Sequence, residues 1–229
     1  MKAVIFDWDG VVIDSSAQHE RSWEILAKEI SKPLPDGHFL LGFGKKNALI
    51  IPEILGWTTD PAAITGLSNR KEEIYRELVQ ASGVHVLPGA RELLTALREA
   101  GIPRSIGSST PRSNLDAILP VTGLADLFDA IACGDDVTHG KPAPDIFLFA
   151  AQKLHMQPSD CLVIEDAHVG LEAARRAGMA TLAVATTNPL ADLQYADAAV
   201  ESLATVTLDF LLSIKNSQAS ANAERRDGE

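Results

Sequence analysis

The sequence predicts an α/β protein: a doubly wound parallel sheet, interrupted near its start by an α-helical insertion. Three observations carry that prediction. Ala3 to Phe6 is an apolar run that stops abruptly at Asp7-Trp8-Asp9-Gly10, the pattern of a buried strand ended by a turn. From residue 85 onward strand-like and helix-like stretches alternate, as βαβ units require. Residues 15–83 hold helical periodicity with no strand alternation.

After the first strand, Ala17–Ile30 and Asn69–Gln80 read as helices of the insertion. Pro88-Gly89 leads into a helix over Ala90–Ala100 that stops at Gly101, the residue type that most readily closes a helix. A strand over Arg104–Gly107 follows, then a helix over Arg112–Leu119, a strand over Ala130–Cys133, and a helix after Pro144. Cys161–Ile164 is the next strand, Gly170–Ala177 a helix ended by Gly178, and Thr181–Val184 a strand. Ala198–Val200 is a short last strand, and Leu203–Leu212 a final helix or turn. Residues 213–229 are polar and nearly free of large apolar groups, so a disordered tail is expected there.

The 229 residues suffice for one large α/β domain, or for a core with a smaller insert. The net charge of −11 argues against nucleic acid or acidic membrane as a partner, since phosphate contacts need clustered Lys and Arg. An anionic substrate would therefore need a locally positive site, made by a metal ion and a few chosen lysines. The two cysteines, Cys133 and Cys161, lie in apolar strand patterns without metal-ligand spacing; they read as small buried core residues in a reducing compartment. The first apolar run is too short for a signal peptide, and no apolar run approaches 18 residues, so no membrane span and a cytoplasmic location are expected.

Ligands of open α/β sheets sit at the carboxyl ends of the strands, where Asp7 and Asp9 fall. Two acids so close are costly to bring together unless a cation or a proton lies between them. The pair reads as a divalent metal site, or as a nucleophile with an acid/base partner. Ser108-Ser109-Thr110 follows the second strand of the core. Its hydroxyls and N–H groups can hold phosphoryl oxygens or serve as a plain helix cap, with Thr110 capping the helix that starts at Pro111. Lys141, in Gly140-Lys141-Pro142-Ala143-Pro144-Asp145, is either a point charge pinned just before a helix or a solvated loop lysine. Glu165-Asp166 ends another strand, and His168 reads as solvated or structural.

The ordered set of Asp7-Trp8-Asp9-Gly10, Ser108, Lys141 and Glu165-Asp166 resembles the haloacid-dehalogenase-like hydrolase superfamily over about residues 1–200. The resemblance implies a Rossmann-like core of residues 1–14 and 84–212, with a helical cap domain of 15–83 joined by hinges near 14–16 and 81–85. It implies Asp7 as nucleophile and Asp9 as general acid and then general base. Ser108 and Lys141 would hold the phosphoryl group. Mg²⁺ would be bound by the Asp7 carboxylate, the Asp9 backbone carbonyl and Asp166, with Glu165 binding through water or orienting the shell. Dehalogenase and phosphonatase branches lack an acid at the position of Asp9.

Leu41-Gly42-Phe43-Gly44-Lys45-Lys46-Asn47 matches a segment that carries a substrate-facing cation in the β-phosphoglucomutase-like branch, with Lys45 at its position. The resemblance turns His19 toward the cleft; packing at the hinge is the plainer reading. Ser109 is expected to offer a backbone donor. Asn69-Arg70-Lys71-Glu72-Glu73 reads as a solvated helix face, although Lys71 aligns roughly with a cleft lysine. Pro111-Arg112 stands where the mutase branch has a Lys-Asn pair, and Arg112 either touches a distal anionic group of the substrate or faces solvent. The implied function is a Mg²⁺-dependent phosphatase acting on a small phosphorylated metabolite, a sugar or polyol phosphate; the sequence leaves the oligomeric state open, with a monomer favoured. The alternative is a phosphomutase of the β-phosphoglucomutase type. A phospho-acceptor signalling module is disfavoured, because the second acid pair follows the lysine and an insertion interrupts the first unit.

Overall fold

The computed structural model describes residues 1–214. Its strands are β1 (Ala3–Phe6), β2 (Ile13–Asp14), β3 (His85–Val86), β4 (Arg104–Gly107), β5 (Ala130–Ala132), β6 (Cys161–Glu165), β7 (Ala180–Val184) and β8 (Ala198–Val200). Six form one sheet in the order β5-β4-β1-β6-β7-β8, every pair parallel. The order runs outward in both directions from β1, so the chain reverses its winding beside β1. That reversal opens a crevice at the strand carboxyl ends.

Helices α1 (Ser16–Glu29), α2 (His38–Gly42), α3 (Asn47–Leu49) and α4 (Pro61–Ser82) belong to the insertion. In the remainder of the chain, α5 (Ala90–Glu99), α6 (Arg112–Thr122), α7 (Asp145–Lys153), α8 (His168–Arg176) and α9 (Leu208–Ser213) follow. Side chains alternate across a strand, and β1 shows the consequence. Val4 and Phe6 pack into one cluster with Leu94 and Leu97 of α5 and Leu115 and Ile118 of α6. Ala3 and Ile5 pack into the other with Phe147 and Ala150 of α7 and Ala173 and Ala174 of α8. All four strand residues are fully buried, which is why the run is continuously apolar. The insertion has an apolar cluster of its own, with Trp23, Leu26, Ile51, Trp57 and Ile74 at its centre.

The structure departs from the sequence reading at several elements. The α4 helix begins at Pro61, well before Asn69, because Asp60 accepts from Ala63 N at 2.8 Å and Pro61 sits in the first turn, an N-terminal signature the periodicity alone does not carry. The β2 and β3 strands form a two-stranded antiparallel ladder, with Ile13 against Val86 and Asp14 against His85, across both ends of the insertion. Two-residue strands show no periodicity, so they escape a pattern reading. Finally, Ser213 closes α9 and Ile214 is buried, so these two residues of the expected tail are folded. Residues 215–229 lie outside the described residues. Both cysteines are buried.

Candidate active site

Asp7 follows β1 directly, and its N–H still donates to Ile164 O at 3.0 Å. The ladder therefore aims its side chain from the carboxyl edge of the sheet. Lys141 Nζ lies 2.9 Å from Asp7 Oδ1 and 2.5 Å from Glu165 Oε1, with the lysine almost wholly buried. Glu165 Oε2 accepts from the N–H groups of Asp166 (3.0 Å) and Ala167 (2.9 Å). Glu165 can sit there because residue 170 is glycine: a Cβ at that position would lie 1.7 Å from Glu165 Oε1.

Asp166 is fully buried beside Asp7. Its Oδ2 accepts from Thr187 Oγ1, and its backbone carbonyl from Asn188 Nδ2 at 2.8 Å. Gly10 permits this approach from the other side: its φ is +79°, and a Cβ there would lie 1.9 Å from Asp166 Oδ2, so only glycine fits.

Asp7, Glu165 and Asp166 each offer one oxygen, all within 4.8 Å of one another. Asp166 Oδ1 is buried with no hydrogen bond, and Asp7 Oδ1 has only the ion pair to Lys141. Burial pushes the Asp7 carboxyl up to about 7 against the pull of Lys141. Burial together with the charges of Glu165 and Asp7 raises Asp166 well above the usual carboxylate range. A buried oxygen without a partner, among mutually repelling carboxylates, is what a hard divalent cation satisfies. A divalent metal fits these residues.

Asp9 turns the other way, toward the insertion. Its Oδ1 accepts from Ser15 Oγ at 2.5 Å and lies 3.3 Å from His19 Nε2, while its Oδ2 accepts from Thr110 Oγ1. Burial alone would raise its pKa, but His19, Ser15 and Thr110 outweigh burial and hold it down at about 2. His19 stacks on Tyr75 at 3.9 Å between ring centroids, and its Nδ1 lies 2.6 Å from Lys71 Nζ.

A cavity of about 530 Å³ separates the sheet edge from the insertion. Of the residues singled out in the sequence, Asp7, Asp9, Ser108, Ser109 and Lys141 line its floor, and His19 and Lys45 line it from the insertion. Ser108 Oγ accepts from Thr110 N at 3.2 Å, and Ser109 Oγ donates to Gly44 O at 3.0 Å. Glu165 and Asp166 lie behind Asp7, not on the cavity wall.

Arg112 is not brought to the site. It pairs with Asp116 one turn along α6 at 2.7 Å and is half exposed. Thr110 does not cap α6, which has no side-chain cap; its hydroxyl serves Asp9 instead. The expected solvated face of α4 is corrected too, since Lys71 and Glu72 are buried. Glu72 Oε1 accepts from Asn47 Nδ2 (2.8 Å) and Lys71 Nζ (3.0 Å), and its Oε2 from Asn114 Nδ2 (2.5 Å). Arg76 reaches Asn114 Oδ1 at 2.8 Å and Ser113 Oγ at 3.1 Å. A signal for Lys71 was present: it stands three, four and eight residues before the buried Ile74, Tyr75 and Val79, on the apolar stripe of the helix. Ser15, Thr110 and Asn114 carried no such signal.

Carboxylates and a lysine converging at the carboxyl ends of parallel strands, at the floor of a cavity, define an enzyme. The model of the haloacid dehalogenase-like hydrolases matches residues 1–178, and the chain belongs to that family. It is 35% identical over 202 residues to a chloroplastic 5-amino-6-(5-phospho-D-ribitylamino)uracil phosphatase of Arabidopsis thaliana, a match covering 87% of this chain and 54% of that protein. The chain thus spans about half the length of that relative. It is 34% identical over 217 residues to the β-phosphoglucomutase of Bacillus subtilis, covering 92% of this chain and 94% of the relative. In structure it resembles the β-phosphoglucomutase of Clostridium difficile, with a TM-score of 0.85 and 25% identity, over 96% of this chain and 99% of the other. Among the described residues, no helix is long and apolar enough to cross a membrane.

Proposed function

We propose that this chain is a Mg²⁺-dependent phosphatase that hydrolyses a small phosphorylated metabolite, a sugar or polyol phosphate, through an aspartyl-phosphate on Asp7. The observation that carries the reading is the division of labour between two acids at one strand end. Asp7 is held by Lys141, while Asp9 is held separately by Ser15, His19 and Thr110.

In this reading an Asp7 carboxylate oxygen attacks phosphorus, the phosphorus–ester oxygen bond breaks, and the departing alcohol takes a proton from Asp9. Water then attacks the phospho-aspartate, Asp9 accepts its proton, and Asp7 and inorganic phosphate are released. With its pKa near 2, Asp9 stands in the proton-accepting form that the second half requires. Proton donation in the first half requires it to leave its three partners. Lys141 offsets charge on Asp7 and on the transferring group, and Ser108 offers its hydroxyl to phosphoryl oxygens. Asp7, Asp166 and the Asp9 carbonyl would hold Mg²⁺, with Glu165 supporting them, and the ion when bound supplies charge neutralisation at the phosphoryl group.

The insertion acts as a cap domain in this reading, with Lys45 and His19 facing the substrate. The Arabidopsis relative is named for removing phosphate from a ribityl phosphate, which favours a polyhydroxylated substrate. A monomer in the cytoplasm, without nucleic-acid or membrane partners, belongs to the same reading, in keeping with the net charge of −11. The phosphomutase alternative is favoured by the similarity to the Bacillus enzyme. It is disfavoured by Arg112, which turns away from the cavity where a second phosphate would need a grip.

The test is phosphate release across a panel of sugar and polyol monophosphates, with Mg²⁺ and with excess EDTA. Mg²⁺-dependent release from some members is expected. Equal release with chelator, or none from any ester, overturns the proposal.

A further inference from the structure

Among its contacts with the core, the insertion places a short loop of Gly44, Lys45 and Lys46 there, and Lys46 hydrogen-bonds to the core directly. Its Nζ donates to two core carbonyls, Gly134 O and Val137 O, each at 2.6 Å. Its aliphatic stem lies along Gly140: a Cβ on that residue would be 3.0 Å from Lys46 Cγ and 3.2 Å from Cδ. Gly140 immediately precedes Lys141. On the insertion side, the neighbouring Lys45 lines the cavity. One ammonium is thus fastened to both ends of a turn in the core loop that delivers Lys141, while its own backbone delivers Lys45.

We propose that Lys46 is a positioning residue that ties the loop carrying Lys45 to the loop carrying Lys141, so that both cations are set only when the insertion is seated. The arrangement needs a long aliphatic stem with a donating cationic head. The stem fills the channel left by Gly140, and the head satisfies two carbonyls that no other described side chain reaches. Burial pushes the ammonium below its usual range, against the pull of Asp135 and Asp145. Lys46 lines the cavity beside Lys45, but its head is committed to the Gly134 and Val137 carbonyls and touches neither the reacting carboxylates nor the acid cluster.

The inference rests on the phosphatase reading only for its activity readout, and the first measurement is independent of that reading. Amide hydrogen exchange over residues 134–141 is compared between the parent, Lys46→Met and Lys46→Arg, without substrate. Lys46→Met should exchange about tenfold faster there, since opening is no longer opposed by two hydrogen bonds, with Tm changed by less than about 4 °C. Lys46→Arg, which keeps a donating cation, should exchange within about threefold of the parent. With the best ester of the panel, Lys46→Met should lower kcat by about tenfold, an effect in keeping with misplaced catalytic groups. Lys46→Arg should recover most of that loss. Unchanged exchange in Lys46→Met overturns the proposal, as does an arginine variant as fast as the methionine one. Should Lys46→Met not fold, Lys46→Gln takes its place under the same criteria. Faster exchange together with no phosphate release by the parent supports the anchor and removes the phosphatase reading instead.

Discussion

The Lys141 ammonium lies closer to Glu165 Oε1, at 2.5 Å, than to Asp7 Oδ1, at 2.9 Å. Glu165 gives its second oxygen to two backbone N–H groups, so both of its oxygens are already taken. Its main work in this arrangement is to hold the lysine, and the open oxygen for a cation belongs to Asp166.

The two acids should separate in kinetics. Glu165→Gln loosens Lys141 and should lower kcat by about tenfold or more, in keeping with the loss of a positioned charge, with little change in the Mg²⁺ concentration giving half activity. Asp166→Asn should raise that concentration by about 10- to 100-fold. A Mg²⁺ titration of both variants decides, and the reverse pattern assigns Glu165 to the metal.

Asp7→Asn should abolish phosphate release while leaving Tm close to that of the parent. An amide keeps the shape but is no nucleophile at phosphorus. Residual turnover above a few per cent, a barrier change under about 2 kcal/mol, would exclude an aspartyl-phosphate.

Glu72 predicts a pH signature in stability. Its carboxyl lies below its ordinary 4.5: burial acts to raise it, but Lys71, His19, Asn114 and Asn47 outweigh burial. A depressed folded-state pKa means that the contribution is complete above the unfolded value and is lost as pH falls through the folded one. At pH 7, Glu72→Gln should cost about 2 kcal/mol, roughly 4–8 °C in Tm. The gap between parent and variant should narrow steadily below about pH 4.3. Thermal melts from pH 3 to pH 8 read it directly, and a gap that is constant with pH would mean that the charge of Glu72 is not what matters.

Hydrolysis and phosphoryl transfer to a second hydroxyl can be told apart with β-glucose 1-phosphate, Mg²⁺ and a trace of glucose 1,6-bisphosphate. Inorganic phosphate should accumulate faster than glucose 6-phosphate. The opposite order would make the chain a mutase. Lys45→Ala should raise KM for the preferred ester more than it lowers kcat, because a contact made equally in ground and transition states acts on binding. An unchanged KM would take Lys45 out of the site.

Local sequence determined what local physics controls. The strand patterns of β1, β4, β6 and β7, and the acids or hydroxyls that end the first three of these, are set within a few residues of one another, so the strand-end groups of the site are legible in the chain itself. The tertiary structure decided the rest. Thr110 meets Asp9 across 101 positions of chain, and a hydroxyl that can cap a helix can equally serve a carboxylate. Arg112 and Lys71 are long side chains on helices. A helix sets the face from which each leaves, but the neighbouring packing decides which becomes buried: Asp116 drew one outward, and His19 and Glu72 drew the other in. The β2–β3 ladder and the Lys46 anchor join segments far apart in the chain. Such contacts depend on how the insertion seats on the sheet, and no periodicity within either segment encodes it.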